Sequence, residues 1–217
     1  MMNQQRDIEI LYQDSELVVI NKPGGLLSVP GRGPEKQDCA ASRLRHRFPK
    51  MIAQPAVHRL DMFTSGLMVF AITANAHRYL SSQFEKRAVV KKYTAIVEGT
   101  IGQSCGDINL AFRLDPDNRP LQIYDPVQGK MGITKWRKLE NMGNRTRIEF
   151  TPLTGRTHQL RVHAAHPRPM GLGAPIAGDS LYGQGKEGNQ MMLHASYLQF
   201  IHPETCKPLE FHSLSPF

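Results

Sequence analysis

Cysteine is scarce in this chain, and its three cysteines form neither a C-x-x-C pair nor an even set. Cys39, Cys105 and Cys206 lie far apart, which gives no support to a disulfide framework and is typical of a reducing compartment. No run approaches the roughly 20 apolar residues of a membrane-spanning helix, and the first ten residues carry charges and lack the apolar run of a signal peptide. We therefore predict a cytoplasmic protein with no membrane partner.

Several familiar cofactor and catalytic motifs are also missing. The sequence has no Walker loop, no G-x-G-x-x-G after a strand and no G-x-S-x-G elbow. Nucleotide cofactors and serine-hydrolase chemistry therefore find no support. Acidic residues are in the minority, with 19 Asp and Glu against 27 Lys and Arg, and the formal net charge is +8. This excess favours a polyanionic partner, although a basic surface that binds nothing acidic is an open alternative.

The chain has 217 residues, 40% of them apolar, and can bury a core without metal or disulfide staples. No repeat, low-complexity tract or obvious linker divides it, so we predict one domain over residues 1–217. Short apolar runs bounded by turn residues outnumber helical patterns and do not alternate regularly with them. This arrangement indicates an α+β fold with a largely antiparallel mixed sheet flanked by helices and loops.

Three helices and three strand pairs can be placed by pattern. Asp38 is expected to cap a helix that ends at Pro49, and Thr73 is expected to cap a helix with apolar residues at four-residue spacing. A short third helix is expected from Thr157 to about His166. The predicted strand pairs are 8–12 with 17–21, 134–139 with 146–150, and 192–201 with 209–214.

Residues 57–67 place charges where strand patterning does not require them. Asp61 lies among apolar residues directly before a predicted buried strand, so its carboxylate has limited access to water and needs a partner. The neighbouring Arg59 is one candidate, and the two would then form an ordinary loop salt bridge. A functional carboxylate at the mouth of the strand is the other interpretation.

Residues 91–99 place two cations, Lys91 and Lys92, before an aromatic residue on a predicted strand. Tyr93 shares one strand face with Ala95 and Val97. A strand tyrosine is usually a core residue whose hydroxyl group is hydrogen-bonded at the edge. This segment therefore leaves a structural and a functional interpretation open.

Residues 153–163 contain Gly155, which permits a tight turn into the helix that we expect Thr157 to cap. Helical spacing would place His158 and Arg161 on one face. An arginine near the start of a helix gains nothing from the helix dipole, so we expect Arg161 to be anchored to an acid elsewhere in the fold.

A metal site is the alternative for the histidines of this region. The spacings between His158, His163 and His166 are suitable for chelation, but these residues would span different faces of a short helix, and no H-E-x-x-H pattern occurs. We predict no metal site and no cofactor.

Four motifs in this order resemble the RluA family of RNA pseudouridine synthases. They are His-Arg-Leu-Asp at 58–61 followed by Thr-Ser-Gly at 64–66, Lys-Lys-Tyr at 91–93, and Thr-Gly-Arg-Thr-His-Gln-Leu-Arg-Val-His at 154–163. Residues 17–25, 175–183 and 192–195 are similar to the opening strand and turn, the late loop and the final strand motif of the family. No S4-type RNA-binding segment precedes the catalytic region, so the chain resembles the short members of the family.

The resemblance implies the pseudouridine synthase fold and an isomerase that detaches uracil from C1′ of a uridine, rotates it and rejoins it through C5. Asp61 matches the catalytic aspartate, Tyr93 the tyrosine thought to assist removal of the C5 proton, and Arg161 the arginine that pairs with the aspartate. Arg59 matches the arginine that helps to push the target base out of the helix. Whether Asp61 acts as nucleophile or as base stays open.

RNA is the partner that the resemblance implies, and the basic residues then have a use, because phosphate contacts set the register of an RNA substrate. Residues 109–124 resemble the corresponding part of an RluA protein that modifies large-subunit ribosomal RNA and a tRNA stem-loop, so we expect targets of that kind and a monomeric enzyme. A catalytically silent RNA-binding or ribosome-assembly factor on the same fold is the alternative. The residues assigned to RNA contact are Arg59, His58, Arg156, His158, Lys91 and Lys92.

Overall fold

A computed structural model describes residues 8–186 and 190–217, which cluster into two compact units. Unit 1 comprises the described residues up to Lys91 together with His194–Pro216. Unit 2 comprises Lys92–Leu193 and Phe217, apart from residues 187–189. The expected single domain over residues 1–217 stays a prediction.

The described residues contain ten strands, three helices and one 3-10 turn at Pro34–Lys36. The strands are β1 (Glu9–Gln13), β2 (Leu17–Lys22), β3 (Ser65–Ala71), β4 (Val90–Glu98), β5 (Cys105–Leu114), β6 (Gln122–Tyr124), β7 (Lys130–Met142), β8 (Arg145–Pro152), β9 (Leu193–Ile201) and β10 (Pro208–His212). The helices are α1 (Ala40–Arg47), α2 (Ala74–Glu85) and α3 (Gln159–Ala165).

Unit 1 is built on the strand order β1-β2-β3-β9, with β10 paired to β9. All of these pairs are antiparallel except β3 with β9, which is parallel. The apolar runs of β2 and β3 are almost wholly buried, as expected of strands that are covered on both faces. Thr73 caps α2 by accepting a hydrogen bond from the Ala76 amide, as the sequence predicts.

Unit 2 is built on the strand order β4-β8-β7-β5-β6, and every pair in it is antiparallel. Gly143 and Asn144 form the turn between β7 and β8, and Gly143 has a φ of 64°. This is a conformation that glycine adopts without the steric cost that other residues meet. The alternating burial of β8 shows that one face of this strand points into the core.

The sequence prediction is wrong about two helix starts. Cys39, not Asp38, is the N-cap of α1, where its thiol accepts from the Ser42 amide while the Cys39 amide donates to the Ser42 hydroxyl. Asp38 instead forms a salt bridge with Arg43 across 2.7 Å. Sequence patterning favoured Asp38 because a carboxylate is a stronger capping group than a thiol.

The third helix begins later than predicted. Its N-cap is His158, in the left-handed conformation with a φ of 56°, and no side chain caps it. Thr157 therefore does not cap α3, and His158 precedes the first helical residue instead of lying within the helix. The Gln159 side chain fixes this turn instead, since its carbonyl oxygen accepts from the Thr154 hydroxyl and the Arg156 amide.

The predicted fold class is confirmed: the strands pair mostly antiparallel, with one parallel pair, and helices accompany them. The three expected strand pairs are present as β1–β2, β7–β8 and β9–β10. Within residues 8–186 and 190–217, no helix has the length and the apolar character that crossing a bilayer requires.

Candidate active site

The backbone on both sides of Asp61 is fixed by hydrogen bonds from residues of the opening segment. The buried hydroxyl of Ser28 donates to the Leu60 carbonyl at 2.6 Å and accepts from the Leu60 amide at 3.0 Å. On the other side, the Met62 carbonyl accepts from the Gly25 amide at 2.9 Å. We call residues 60–64 the Asp61 loop. Its main chain is held immediately before and immediately after the half-buried aspartate.

Lys22, at the end of β2, is fully buried and supports the same loop. Its ammonium group donates to the carbonyls of Pro23, Leu26 and Met62 at 2.9, 2.7 and 3.1 Å. Burial lowers the pKa of Lys22 to about 7, while the negative charge of Asp61 acts in the opposite direction. Three carbonyl acceptors match the three protons of an ammonium group, so the cation is fully hydrogen-bonded beside the candidate catalytic residue.

The Thr-Ser-Gly motif fastens the start of β3 to β9. The Ser65 hydroxyl lies 2.8 Å from Nδ1 of His194, and Nε2 of His194 lies 3.0 Å from the Ser213 hydroxyl. Burial lowers the pKa of His194 to about 4, so the ring is neutral at neutral pH. Gly66 has a φ of 110°, and a side chain there would overlap the backbone of Ala195. The motif thus fixes where β3 begins and where the Asp61 loop ends.

Two residues assigned to RNA contact are engaged in packing within unit 1. The His58 ring accepts from the Val69 amide at 3.1 Å and stacks on Phe84 with a centroid separation of 4.5 Å. The Lys91 ammonium lies 5.8 Å from the centroid of the Phe84 ring. Burial and, secondly, the charge of Lys91 lower the pKa of His58 to about 3. The RNA contacts of His58 and Lys91 stay predictions.

Arg161 lies on α3 and is held by a buried ion pair within unit 2. Its Nε and one terminal nitrogen each donate to a carboxylate oxygen of Asp179 at 2.7 Å. Arg161 is 4% exposed and Asp179 is 1% exposed. Burial opposes ionisation of Asp179, but hydrogen bonds and charge from Arg161 outweigh it, so the pKa of Asp179 is lowered. The expected acid that anchors Arg161 is therefore present.

The predicted contact between Arg161 and Asp61 stays a prediction. A guanidinium group carries five N–H donors, so the bidentate pair with Asp179 is compatible with a second carboxylate partner. Tyr182 adds a further contact, because the guanidinium carbon of Arg161 lies 5.2 Å from the centroid of its ring. This distance is within the range of a cation–π interaction.

The remaining predicted site residues are placed as follows. Tyr93 lies on β4, paired in register with Phe150 of β8, and is partly buried. Arg59 and Arg156 are exposed. Lys92 is partly exposed and lies 3.9 Å from Glu149 in a loose salt bridge. Exposed and partly exposed cations suit phosphate contact, and the proposed roles of these residues stay predictions.

The three histidines considered for a metal site are engaged by three different aromatic residues. His158 bonds to the Tyr182 hydroxyl at 2.8 Å, and the His163 and His166 rings lie 5.7 and 5.2 Å from the rings of Phe112 and Tyr124. Across the described ranges, no group of three or more His, Cys, Asp or Glu side chains is placed to hold a metal ion.

Sequence reasoning missed the residues that hold the predicted site residues in place. A lysine at the end of the apolar run 17–22 was a signal, since a charged residue there needs partners if it is buried. Asp179 and Tyr182 lie in the segment 175–183, which resembles the late loop of the family and shows no further signal in the sequence. Their roles depend on contacts with α3 that residue spacing does not reveal.

Comparison with known proteins identifies the family. A family model described as RNA pseudouridylate synthase matches residues 16–166. The dual-specificity RNA pseudouridine synthase RluA of Haemophilus influenzae is 43% identical over 214 residues, which cover 97% of this chain and 94% of that protein. The protein of the same name from Escherichia coli K12 is 39% identical over 212 residues, with coverages of 96% and 93%.

A solved structure agrees with the sequence matches. Human RNA pseudouridylate synthase domain containing 1 superposes with a TM-score of 0.78 at 30% identity, covering 97% of this chain and 84% of that one. The expected pseudouridine synthase fold is thereby confirmed. The match over residues 16–166 and about 40% identity over nearly the full length of the RluA proteins establish that this chain belongs to the RNA pseudouridylate synthase family.

Proposed function

We propose that this chain isomerises uridines to pseudouridine in large-subunit ribosomal RNA and in a tRNA stem-loop, with Asp61, Tyr93 and Arg161 as its catalytic residues. The reaction breaks the bond between N1 and C1′, forms a bond between C5 and C1′, and in net moves the proton of C5 to N1, so that no atoms are gained or lost. It needs the uracil to leave the base stack, which costs a few kcal/mol and least where the RNA is looped.

The observation that carries the proposal is that the main chain beside Asp61 is fixed by hydrogen bonds. Its main chain is held on both sides by Ser28, Gly25 and Lys22, while the residue itself stays half-buried. A catalytic group gains rate when its position is fixed before the substrate arrives. The arrangement therefore supports a functional carboxylate at this position.

Arg161 and Tyr93 supply the other two parts of the proposed site. A fixed guanidinium group near Asp61 would keep the carboxylate ionised, as a nucleophile or a base requires. We propose that Tyr93 assists removal of the C5 proton, and that Arg59 fills the space left by the everted base. Arg156, His158, Lys91, Lys92 and His58 are proposed to support binding of the RNA.

The substitution Asp61→Asn tests the proposal. Wild-type protein incubated with RNA from cells that lack this activity should form pseudouridine without added metal or nucleotide, and Asp61→Asn should form none while still binding the RNA. Asp107→Asn, at an exposed position on β5, is the matched control and should be fully active. Pseudouridine mapping at single-nucleotide resolution identifies the modified positions.

Two results would contradict the assignment. Full activity of Asp61→Asn would remove the catalytic aspartate from the mechanism. RNA binding with no product from wild-type protein, together with retained cellular function of Asp61→Asn, would favour a silent RNA-binding or ribosome-assembly factor. Light scattering on the purified protein tests the proposal that it acts as a monomer, and fractionation of cells tests its cytoplasmic location.

A further inference from the structure

One side chain of unit 2 contacts Arg161, the turn before α3 and the end of an exposed loop. The Tyr182 hydroxyl accepts from the Gln122 amide at 2.8 Å and lies 2.8 Å from Nδ1 of His158. Its ring lies against the Arg161 guanidinium. The amide of Tyr182 donates to Asp179, which fixes its backbone to the same ion pair.

The loop before Gln122 is held in one shape by its own hydrogen bonds. We call residues 115–121 the arm loop, because they join β5 to β6. The Asp115 carboxylate accepts from the Asp117 amide and the Asn118 side chain at 3.0 and 2.9 Å. The Asp115 amide donates to the Leu121 carbonyl, and the Leu121 amide donates to the Asn118 carbonyl, each at 2.9 Å. These hydrogen bonds close the arm loop on itself directly before Gln122.

The arm loop presents polar and cationic groups at its tip. Residues 116–120, which include Arg119, are exposed. An exposed cation on a preformed loop is suited to bind a phosphate group or a looped nucleotide. The first residue after this loop, Gln122, is the residue that donates its amide to Tyr182.

We propose that Tyr182 is a positioning residue that couples the arm loop to Arg161, so that RNA held by the loop and the guanidinium group are set in place by one side chain. The hydroxyl group would fix the loop and His158, while the ring would fix the guanidinium. This inference rests on the proposed function, since it takes Arg161 as part of the catalytic site and the arm loop as an RNA contact.

The two parts of the Tyr182 side chain can be removed separately. Tyr182→Phe keeps the ring against Arg161 and removes the hydroxyl, whereas Tyr182→Leu removes both. Tyr79→Phe, at an exposed position on α2, is the matched control. Pseudouridine formation is measured in single turnovers on a stem-loop RNA over a range of enzyme concentrations, which separates the half-saturating concentration from the rate at saturation.

Tyr182→Phe should raise the half-saturating concentration about tenfold, the size expected from the loss of one or two hydrogen bonds, and leave the rate at saturation within about twofold of wild type. Tyr182→Leu should raise the half-saturating concentration and also lower the rate at saturation by about tenfold or more. Tyr79→Phe should change neither quantity. If Tyr182 had a purely structural role, the two substitutions would not differ in their effect on the rate at saturation.

Amide hydrogen exchange tests the contact without any activity measurement. In Tyr182→Phe, exchange in the peptide that contains Gln122 should become faster while exchange in α2 stays as in wild type. Unchanged exchange in the Gln122 peptide would overturn the inference. Identical kinetics for Tyr182→Phe and Tyr182→Leu, measured where the wild-type protein is active, would also overturn it. Absence of pseudouridine formation by the wild-type protein would overturn the proposed function instead, and the exchange result would still report on the contact.

Discussion

The Asp61 loop of unit 1 and the Arg161 region of unit 2 are held by different kinds of interaction. Around Asp61 the supporting groups bind main-chain atoms of Leu60 and Met62. Around Arg161 the support acts on the charged side chain itself, through a bidentate carboxylate and an aromatic ring. The first arrangement fixes where a residue is placed, and the second fixes how a functional group is oriented.

This difference predicts different costs of disruption. Hydrogen bonds to main-chain groups each contribute about 1 kcal/mol, and more when their loss leaves a buried partner unpaired. A buried ion pair is costly to break, because the remaining charge is left without a partner in an apolar environment. Three substitutions compare the two regions, from the largest expected effect to the smallest.

Asp179→Asn removes the charge that faces Arg161 and should lower the free energy of unfolding by about 3 to 5 kcal/mol at pH 7. Because the pKa of Asp179 is lowered in the folded protein, its contribution is present above the ordinary carboxyl pKa and is lost as the pH falls through the folded-state value. The difference between wild type and Asp179→Asn in urea denaturation should therefore shrink on acidification. Glu210→Gln, which breaks the exposed pair with His212, is the control and should cost less than about 0.5 kcal/mol. Equal losses of unfolding free energy in Asp179→Asn and Glu210→Gln would show that the buried ion pair contributes no more to stability than the exposed one.

Ser28→Ala removes the hydroxyl that binds the Asp61 loop and leaves both the amide and the carbonyl of Leu60 without this partner. We expect a loss of about 2 kcal/mol in the free energy of unfolding, together with a lower rate of pseudouridine formation at saturating RNA. Ser104→Ala, at an exposed position, is the matched control. If Ser28→Ala lowered stability but left that rate unchanged, the loop would not need its main-chain support for catalysis.

Lys22→Met tests the buried cation through pH. The pKa of Lys22 is lowered to about 7, whereas in the unfolded chain it is near 10.5. The unfolded state therefore binds more protons between these values, and wild-type stability should rise relative to Lys22→Met as the pH increases from 7. The change should be about 2 kcal/mol between pH 7 and pH 9. Urea denaturation at pH 7 and at pH 9 measures this stability difference. Lys207→Met, at an exposed position, is the control. A difference that is constant with pH would mean that Lys22 is not titrating in this range.

Local patterns predicted the elements whose geometry is set by neighbouring residues. The apolar runs of β2 and β3, the turn at Gly143 and the cap at Thr73 follow from spacing and from side-chain chemistry over a few positions. Prediction of the caps at Cys39 and His158 failed, because the chain there is directed by contacts other than capping preference. Asp38 forms a salt bridge with Arg43, and the Gln159 side chain fixes the turn before α3.

Long-range pairings account for most of what the sequence could not indicate. Asp179 meets Arg161 across 18 residues, and His194 meets Ser65 across 129. Residue spacing carries no information about such contacts, because they depend on how strands and loops are arranged after folding. The resemblance to a known family did identify Asp61, Tyr93 and Arg161 as candidates, but the groups that position the Asp61 main chain and Arg161 emerged from the geometry.

The parallel contact between Ser65 and His194 has a consequence for synthesis of the protein. Unit 2 consists almost wholly of one continuous stretch, whereas the strands of unit 1 include β9 and β10, which follow that stretch in the sequence. A ribosome must therefore translate all of the continuous stretch of unit 2 before β3 receives its parallel neighbour. A nascent chain halted before residue 194 leaves the edge of β3 next to the Asp61 loop without that strand.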